Sequence, residues 1–202
     1  MKRHLRRIAL VLIAAFGIGV WGLMSDSRAL YEGLLRLHVV GASNTREDQQ
    51  VKLRVRDAVL GSLEQGLQDL TDASLAMDYV RRMLPQVEAA ANRCLAEAGM
   101  EQTVSVSLGE EAFPTRQYDT FSLPAGIYKA LRVVIGEGAG RNWWCVVFPD
   151  MCVGTREEFV QTASVAGMPR ILTETLEGEY EIRFWLLEKI GEMKNYFFSS
   201  SG

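Results

Sequence analysis

The residues of this chain with the most obvious chemical potential are Cys145 and His38. A cysteine becomes a nucleophile when a nearby base removes its proton, and His38 is the single histidine outside the N-terminal segment. With Glu137 as an acid, this set would be typical of an extracytoplasmic enzyme that hydrolyses cell-wall or peptide bonds. Nothing in the sequence brings the three together, so structural roles are the simpler interpretation. No cysteines and histidines have zinc-site spacing, and we expect no metal and no catalytic site.

The cysteines also allow a disulfide bond. Cys145 and Cys152 flank Phe148-Pro149, where we expect the chain to turn back, so the two sulfurs could meet outside the reducing cytoplasm. Two buried thiols are the alternative, and both stay open. Cys94 lies on the apolar stripe of a predicted helix, and we interpret it as a core thiol.

Residues 136–140, GEGAG, are similar to the glycine-rich loops that hold phosphate groups at the start of a helix. Here a β-type run follows the glycines, no Lys-Ser/Thr pair is present, and Glu137 would repel a phosphate. We therefore predict neither a nucleotide nor any other cofactor. The glycines are interpreted as the turn of a β-hairpin over residues 127–148.

Trp143 and Trp144 are the strongest candidates for a binding surface. Neighbouring residues on a strand point to opposite faces, so Trp143 shares a face with Cys145, and Trp144 shares the other with Phe148. Both faces of this strand are therefore apolar. Either helices cover it on both sides, or one face is an aromatic patch reserved for a partner.

The periodicity of the whole chain predicts an α+β fold. We expect a single mixed or antiparallel sheet of about five strands, with the hairpin at its centre and helices packed on it. Residues 110–124 are rich in proline and are predicted to be a linker that lies against the core. Beyond the hairpin, alternation predicts strands at 35–40, 103–108 and 181–186, and helical spacing predicts helices at 46–63, about 72–98, 155–166 and 187–198.

Side-chain chemistry adds detail to these elements. In the first strand, Arg36 and His38 fall on the more polar face. Thr45 followed by Asp48 is a capping pattern for the first helix, and Gly66 is expected to end that helix or to lie just beyond its end. Pro85 predicts a kink or a break into two helices. A solvated helix face is predicted for Asp48, Lys52 and Arg56, and Gly99 is the predicted stop of the second helix.

Residues 1–24 are predicted to be an export or anchoring segment. Four basic residues within the first seven positions precede an apolar run over 8–24, which is near the lower limit of the roughly 17–25 residues that span a bilayer. A cleaved signal peptide and a membrane anchor both stay open. We therefore expect a single exported domain over 35–198 and a disordered tail at 199–202.

The charge of the exported part argues against one class of partner. Subtracting the four basic charges of the first segment from the formal net charge of −3 leaves about −7 for residues 25–202. Nucleic-acid binding depends on a basic surface, so no nucleic-acid partner is predicted.

Two stretches of the chain resemble the stage II sporulation protein R family of endospore-forming bacteria. They are LRLHVVGASNTREDQQVKLRVRDAVL, which begins at Leu35, and FPTRQYDTFSLPAGIYKALRVVIGEGAGRNWWCVVFPDMC, which ends at Cys152. Asp119 replaces a usual glycine and Asp150 a usual proline. Residues 41–45, GASNT, stand where Ala-Asn-Ser-Asp is commoner, which weakens any role for an acidic ligand in that loop.

This resemblance implies a signalling protein and not an enzyme. Members are made in the forespore and are secreted or membrane-anchored, facing the space between the two septal membranes. There they activate the membrane-embedded aspartic protease of the mother cell, which removes the pro-sequence of sigma-E.

The surface that contacts the protease can be narrowed to two hypotheses. The first patch consists of Glu137, Asn142, Trp143 and Trp144, and the second of Asn44, Asp48 and Arg56. Two other functions stay open, the hydrolase that would use Cys145 and His38, and a purely structural septal protein.

Overall fold

The computed structural model describes residues 4, 6–8, 10–14, 28, 30–118, 122–149 and 181–199. Its strands are β1 (Leu35–Val40), β2 (Val104–Phe113), β3 (Arg116–Gln117), β4 (Ser122–Leu123), β5 (Gly126–Ile135) and β6 (Asn142–Phe148). The helices that pack on them are α1 (Arg46–Leu67), α2 (Ala73–Glu97) and α3 (Glu181–Ser199).

The main sheet is mixed and contains four strands in the order β2-β5-β1-β6. Strand β1 is parallel to β5 and antiparallel to β6, and β2 is antiparallel to β5. Strands β3 and β4 form a separate two-stranded ladder. The predicted α+β class is confirmed, but the main sheet has four described strands instead of about five.

The predicted hairpin over residues 127–148 is wrong. Strand β1 lies between β5 and β6 and is hydrogen-bonded to both. The connection between β5 and β6 crosses the end of β1, where the Ala139 amide donates to Ala42 O (3.2 Å) and the Gly140 amide to Gly41 O (2.8 Å). The connection is long enough to span two strand spacings of about 4.8 Å each. The hairpin prediction failed because alternation along a strand shows which residues share a face but not which strands are its neighbours.

Apolar side chains cover both faces of the sheet. On one face, α1 and α2 pack against Leu37, Val39 and their neighbours, and we call this the first core. On the opposite face, Tyr31, Phe113 and Tyr128 belong to a smaller second core. All six residues of β1 are buried, so β1 is covered on both faces. Strand β6, for which the sequence allowed a central, doubly covered position, lies at an edge of the described sheet.

Strand β6 contains an irregularity that strict alternation does not anticipate. The register between β1 and β6 shifts at Leu35 and Arg36. Because of this bulge, Phe148 joins Cys145 in the first core, although alternation assigned it to the face of Trp144.

The start of α1 agrees with the capping pattern, and its end does not agree with the glycine signal. Thr45 is the N-cap, and its Oγ1 accepts a hydrogen bond from the Asp48 amide at 3.2 Å. The helix then continues past Gly66 to Leu67. Gly66 lies against the ring of Tyr79, where any larger residue would clash, so close packing explains this glycine.

Helix α2 is continuous. Asp72 caps it, accepting hydrogen bonds from the amides of Ser74 and Leu75, and Pro85 lies within the helix. The predicted break into two helices is therefore wrong. Gly99 follows the last turn with a positive φ of 71°, which confirms it as the stop signal.

Residues 110–124 are more regular than a linker. Strand β2 continues to Phe113, and β3 pairs with β4 inside the same stretch. The predicted contact with the core is confirmed, because Phe113 and Leu123 are fully buried.

Residues 181–186 were predicted as a strand and instead begin α3. A run of only six residues can match both the two-residue period of a strand and the 3.6-residue period of a helix. Here the helix predicted for 187–198 begins earlier, at Glu181. The predicted helix at 155–166, most of the apolar run over 8–24, and residues 200–202 lie outside the described residues. Among those described, no helix is both long and apolar enough to cross a membrane.

Candidate functional site

Trp143 lies on the α1 side of the sheet and contacts a cation there. The Cζ atom of Arg56 in α1 is 4.7 Å from the centre of the Trp143 ring. Arg56 also pairs with Asp57, with 2.6 Å between Nη2 and Oδ1. Trp143 and Arg56 are both half-buried, so each keeps a solvent-accessible part. Trp143 of the first predicted patch and Arg56 of the second therefore meet at this contact. Trp144 and Asn142 of the first patch instead contact His38 on the other face of the sheet.

Polar residues precede Trp143 in the chain. The Nε1 atom of Trp143 is buried and has no hydrogen-bond acceptor within the described part of the chain, although a buried indole N–H usually finds one. Asn142, which precedes it, and Glu137, in the turn before β6, are both exposed. The Asn142 side chain lies on the face opposite Trp143, where its Oδ1 is 3.0 Å from His38 Nε2.

Trp144 lies on the opposite face and is held by its own chain. Its ring stacks on the imidazole of His38 at 3.7 Å between centroids, with 13° between the planes. Phe113 contacts it edge-to-face at 4.6 Å, and Arg116 Cζ is 5.7 Å from its centre. Trp144 is half-buried and packs against the second core through these ring contacts, whereas Trp143 packs against the first core.

His38 is a nearly buried side chain with a partner for each ring nitrogen. Its Nδ1 is 2.7 Å from Glu111 Oε1, and its Nε2 is 3.0 Å from Asn142 Oδ1. A carboxylate only accepts hydrogen bonds, so Nδ1 carries the proton in the contact with Glu111. Arg132 lies 3.6 Å from the same Glu111 oxygen. Neither nitrogen of His38 is available to take a proton from a substrate in this arrangement.

The structure does not bring Cys145 and His38 together. Cys145 pairs in register with Leu37 and lies in the first core, whereas His38 pairs with Trp144 on the other face. Cys145 is disulfide-bonded, and Cys94 is a free, buried thiol. Cys152, the partner that the sequence suggests for Cys145, lies outside the described residues.

Asn44 belongs to the contacts that hold the loop after β1 against the turn before β6. Its Oδ1 accepts a hydrogen bond from the Arg141 amide at 2.9 Å. Asp48 accepts hydrogen bonds from the hydroxyls of Ser43 and Thr45. These contacts position the loop, so Asn44 and Asp48 contribute to the shape of the surface around Trp143.

The helix face that carries Lys52 was predicted to be solvated, and at Lys52 this prediction is wrong. Its side chain is buried, and Nζ donates to Arg141 O at 3.0 Å and to Gln49 Oε1 at 2.7 Å. Burial lowers the pKa of Lys52, and the nearby charge of Arg141 acts in the same direction. This lysine therefore ties α1 to the turn that precedes the two tryptophans.

Arg36 is buried, although alternation placed it on the more polar face of its strand. It is fully buried, and its guanidinium lies over the rings of Phe113 (4.1 Å) and Tyr128 (4.8 Å). Its Nη2 donates to the Tyr118 hydroxyl at 2.7 Å, and Nη1 has no partner in the described chain. Burial lowers the pKa of Arg36. One feature of the sequence could have predicted this burial. The run around β1 is almost entirely apolar, which indicates a strand covered on both faces.

No group of three or more His, Cys, Asp or Glu side chains among the described residues is placed to hold a metal ion. The features that stand out are the contact between Arg56 and Trp143 and the polar contacts behind it. We call Arg56 and Trp143 together the Trp143 surface.

Comparisons with known proteins agree on one family. The family model described as Stage II sporulation protein R (spore_II_R) matches residues 31–158. A Stage II sporulation protein R from Bacillus subtilis (strain 168) is 30% identical over 180 residues, which cover 79% of this chain and 80% of that protein. No solved structure matches the chain.

Proposed function

Because this chain belongs to the stage II sporulation protein R family, we propose that it is an exported signal that activates a membrane-embedded aspartic protease during sporulation. The protease lies in the mother cell, and its product is sigma-E freed of its pro-sequence. Family membership is the observation that carries this proposal. The match to residues 31–158 includes the whole main sheet, α1 and α2, and the alignment with the relative covers most of both chains.

The Trp143 surface is our candidate for the contact with the protease. Tryptophan and arginine are the residues most enriched among those that dominate binding energy at protein interfaces. Here Arg56 and Trp143 are already in contact and only half-buried, so little side-chain ordering is needed on binding. Activation requires that this surface bind the active form of the protease more tightly than the inactive form.

An exported location agrees with the chemistry of the chain. Disulfides persist in oxidising compartments and are rare in the cytosol, and Cys145 is disulfide-bonded. The basic and apolar pattern of residues 1–24 supports delivery into the space between the septal membranes, with residues 8–24 as signal peptide or anchor. The forespore is the compartment that the family resemblance implies as the source.

The arrangement of the site favours a ligand over the alternative hydrolase. Cys145 and His38 are on opposite faces of the sheet, and a disulfide-bonded sulfur is not available as a thiolate. His38 already has a partner at each nitrogen.

Reconstitution tests the proposal directly. The protease and pro-sigma-E are incorporated with lipid vesicles, the purified full chain is added, and cleavage of pro-sigma-E is followed. We expect cleavage that depends on the chain and persists with His38→Gln, which removes the only candidate base while keeping hydrogen-bonding groups. No cleavage with the folded chain would contradict direct activation, and loss of cleavage with a folded His38→Gln variant would favour the hydrolase.

A further inference from the structure

Strand β2 lies at one edge of the main sheet. It pairs with β5 in a continuous register from Val104 to Phe113, and within the described part of the chain no strand pairs with its outer side. Natural proteins usually protect such an edge with lysine, proline, a bulge or a very short strand. Strand β2 has ten residues and none of these features. Its outer side is therefore open to a further strand.

The contacts of Val104 show which backbone groups of β2 face outward. Its amide donates to Asn92 Oδ1 at 2.8 Å, and its carbonyl accepts from Asn92 Nδ2 at 3.5 Å, so both groups point away from β5. Backbone groups alternate in direction along an antiparallel strand, so the outward set continues at Val106, Leu108, Glu110 and Ala112. At the far end, Phe113 O accepts from Asn195 Nδ2 at 2.8 Å. We call residues 105–112, between these asparagine contacts, the free edge of β2.

Gly109 lies at the centre of the four outward-facing residues, and its own chain does not explain it. It is exposed, its φ is not positive, and no atom lies within 4 Å of the position that a Cβ would take. Glycine weakens the interior of a strand and often marks a place where another backbone approaches closely. A strand added beside β2 would supply that approach.

The free edge is complementary to a copy of itself. A two-fold axis through Gly109 places Val106 opposite Ala112 of the copy and Leu108 opposite Glu110 of the copy. With their symmetry mates, these are four pairs that each exchange two backbone hydrogen bonds. On the other face, Glu111 lies opposite Ser107 of the copy. No like charges therefore stand directly opposite each other, an arrangement that would destabilise the pairing.

We propose that the free edge of β2 pairs antiparallel with the same edge of a second copy of this chain, which joins the two four-stranded sheets into one of eight strands. The second copy is favoured over a segment of another protein because every outward-facing residue finds a partner and Gly109 meets itself. Two-fold pairs of this kind are the commonest protein oligomers. Since β6 lies at the opposite edge, both Trp143 surfaces stay outside this interface. The dimer goes beyond the proposed function and does not depend on it.

Cysteine cross-linking tests the pairing and its register. In the dimer, position 109 lies opposite itself with about 4.5 Å between the Cα atoms, and a disulfide requires about 4.4–6.8 Å. The full chain carrying Gly109→Cys is purified in detergent, with micelles in excess over chains, and is mildly oxidised. The matched control is Ser105→Cys, which is exposed on the same face of β2 and would lie about 27 Å from its own copy. The unsubstituted chain gives the background from the buried Cys94 thiol.

A proline substitution tests the hydrogen bonds of the same interface. The Glu110 amide faces outward, so Glu110→Pro removes a donor to the second copy and no donor to β5. Glu110→Ala is the control, because it keeps the amide. In sedimentation over a concentration series, we expect dimers for the unsubstituted chain and for Glu110→Ala. Association of Glu110→Pro should be weaker by about tenfold or more, since each copy loses one donor.

Disulfide dimers from Gly109→Cys well above those from Ser105→Cys are the expected result. Equal cross-linking at the two positions would show random collision and overturn the pairing. A folded Gly109→Cys chain that does not cross-link, or an unsubstituted chain that stays monomeric at every concentration, would overturn it as well. A disulfide from Gly109→Cys to a different protein in sporulating cells would assign the edge to that protein and reject the second copy.

Discussion

The guanidinium carbon of Arg56 lies 4.7 Å from the centre of the Trp143 ring, and this contact joins α1 to β6. A cation–π contact at an exposed site contributes about 0.5–1 kcal/mol, which is small beside the apolar cores on either side of the sheet. Its consequence is that an arginine and a tryptophan from distant parts of the chain are presented together on one surface.

Replacing Trp143 by alanine is expected to abolish activation while leaving the protein folded. Trp143 is half-buried and lies near the start of β6, so we expect a loss in the free energy of unfolding of about 1–2 kcal/mol, within the ordinary range for point substitutions. Processing of pro-sigma-E in sporulating cells, at matched protein level, measures the first effect, and urea unfolding the second. Trp143→Phe is the control and should retain part of the activity. Normal processing with Trp143→Ala would remove the Trp143 surface from consideration.

Replacing Trp144 by alanine is expected to destabilise the fold. Its ring packs on His38 and Phe113, so truncation opens a space beside the second core. Truncation of a buried tryptophan costs about 3–5 kcal/mol, and because Trp144 is half-buried we expect a loss of about 2–3 kcal/mol, larger than for Trp143. Urea unfolding of Trp144→Ala and Trp143→Ala, side by side, measures the difference. Equal losses for the two variants would contradict the distinct roles that we assign to them.

Arg36→Met is expected to leave the free energy of unfolding unchanged or raised. The guanidinium is fully buried without a described carboxylate partner, so methionine removes the cost of desolvating a charge and keeps most of the side-chain volume. This gain offsets the loss of the hydrogen bond to Tyr118 and of the contacts with the Phe113 and Tyr128 rings. Arg36→Ala is the control, because it leaves a cavity and should cost about 2–5 kcal/mol. Thermal and urea unfolding decide the matter, and a methionine variant as unstable as the alanine variant would show that the charge itself holds the second core.

Gly140→Ala is expected to weaken the attachment of the turn between β5 and β6. An added Cβ would overlap the carbonyl oxygen of Ser43 and approach that of Gly41, and such overpacking costs about 1–3 kcal/mol. Gly61→Ala is the matched control, since nothing lies within 4 Å of its Cβ position in α1. There the same change should stabilise by about 0.5–1 kcal/mol through helix propensity. Opposite signs in urea unfolding confirm the prediction, and equal effects refute it.

Much of the fold could be predicted because its signals are local. Alternation identified β1, β5 and β6 within one residue of their ends, and Thr45 with Asp48 marked the start of α1. The predictions that failed concern contacts between distant segments. The hairpin is wrong because β1 separates its two strands, and the strand at 181–186 is wrong because a short alternating run fits a helix equally well.

The candidate site was predicted in parts. Trp143 and Arg56 were both expected at a binding surface, but their contact was not, because spacing within one strand or helix carries no information about the element packed against it. Trp144 and His38 were named for other roles, and their stacking makes them part of the packing. The burial of Lys52 and Arg36 was not predicted for the same reason. Alternation and helical spacing show which residues share a face of an element, but not which other element covers that face.

The amino-acid sequence alone determined the local elements, the two opposite faces of Trp143 and Trp144, and the family resemblance, because each depends on residues close together or on a contiguous pattern. The tertiary structure decided the place of β1 between β5 and β6, the burial of Arg36 and Lys52, and the separation of Cys145 from His38. These depend on strand order and on helix packing across the sheet, which are set by many long-range apolar contacts acting together.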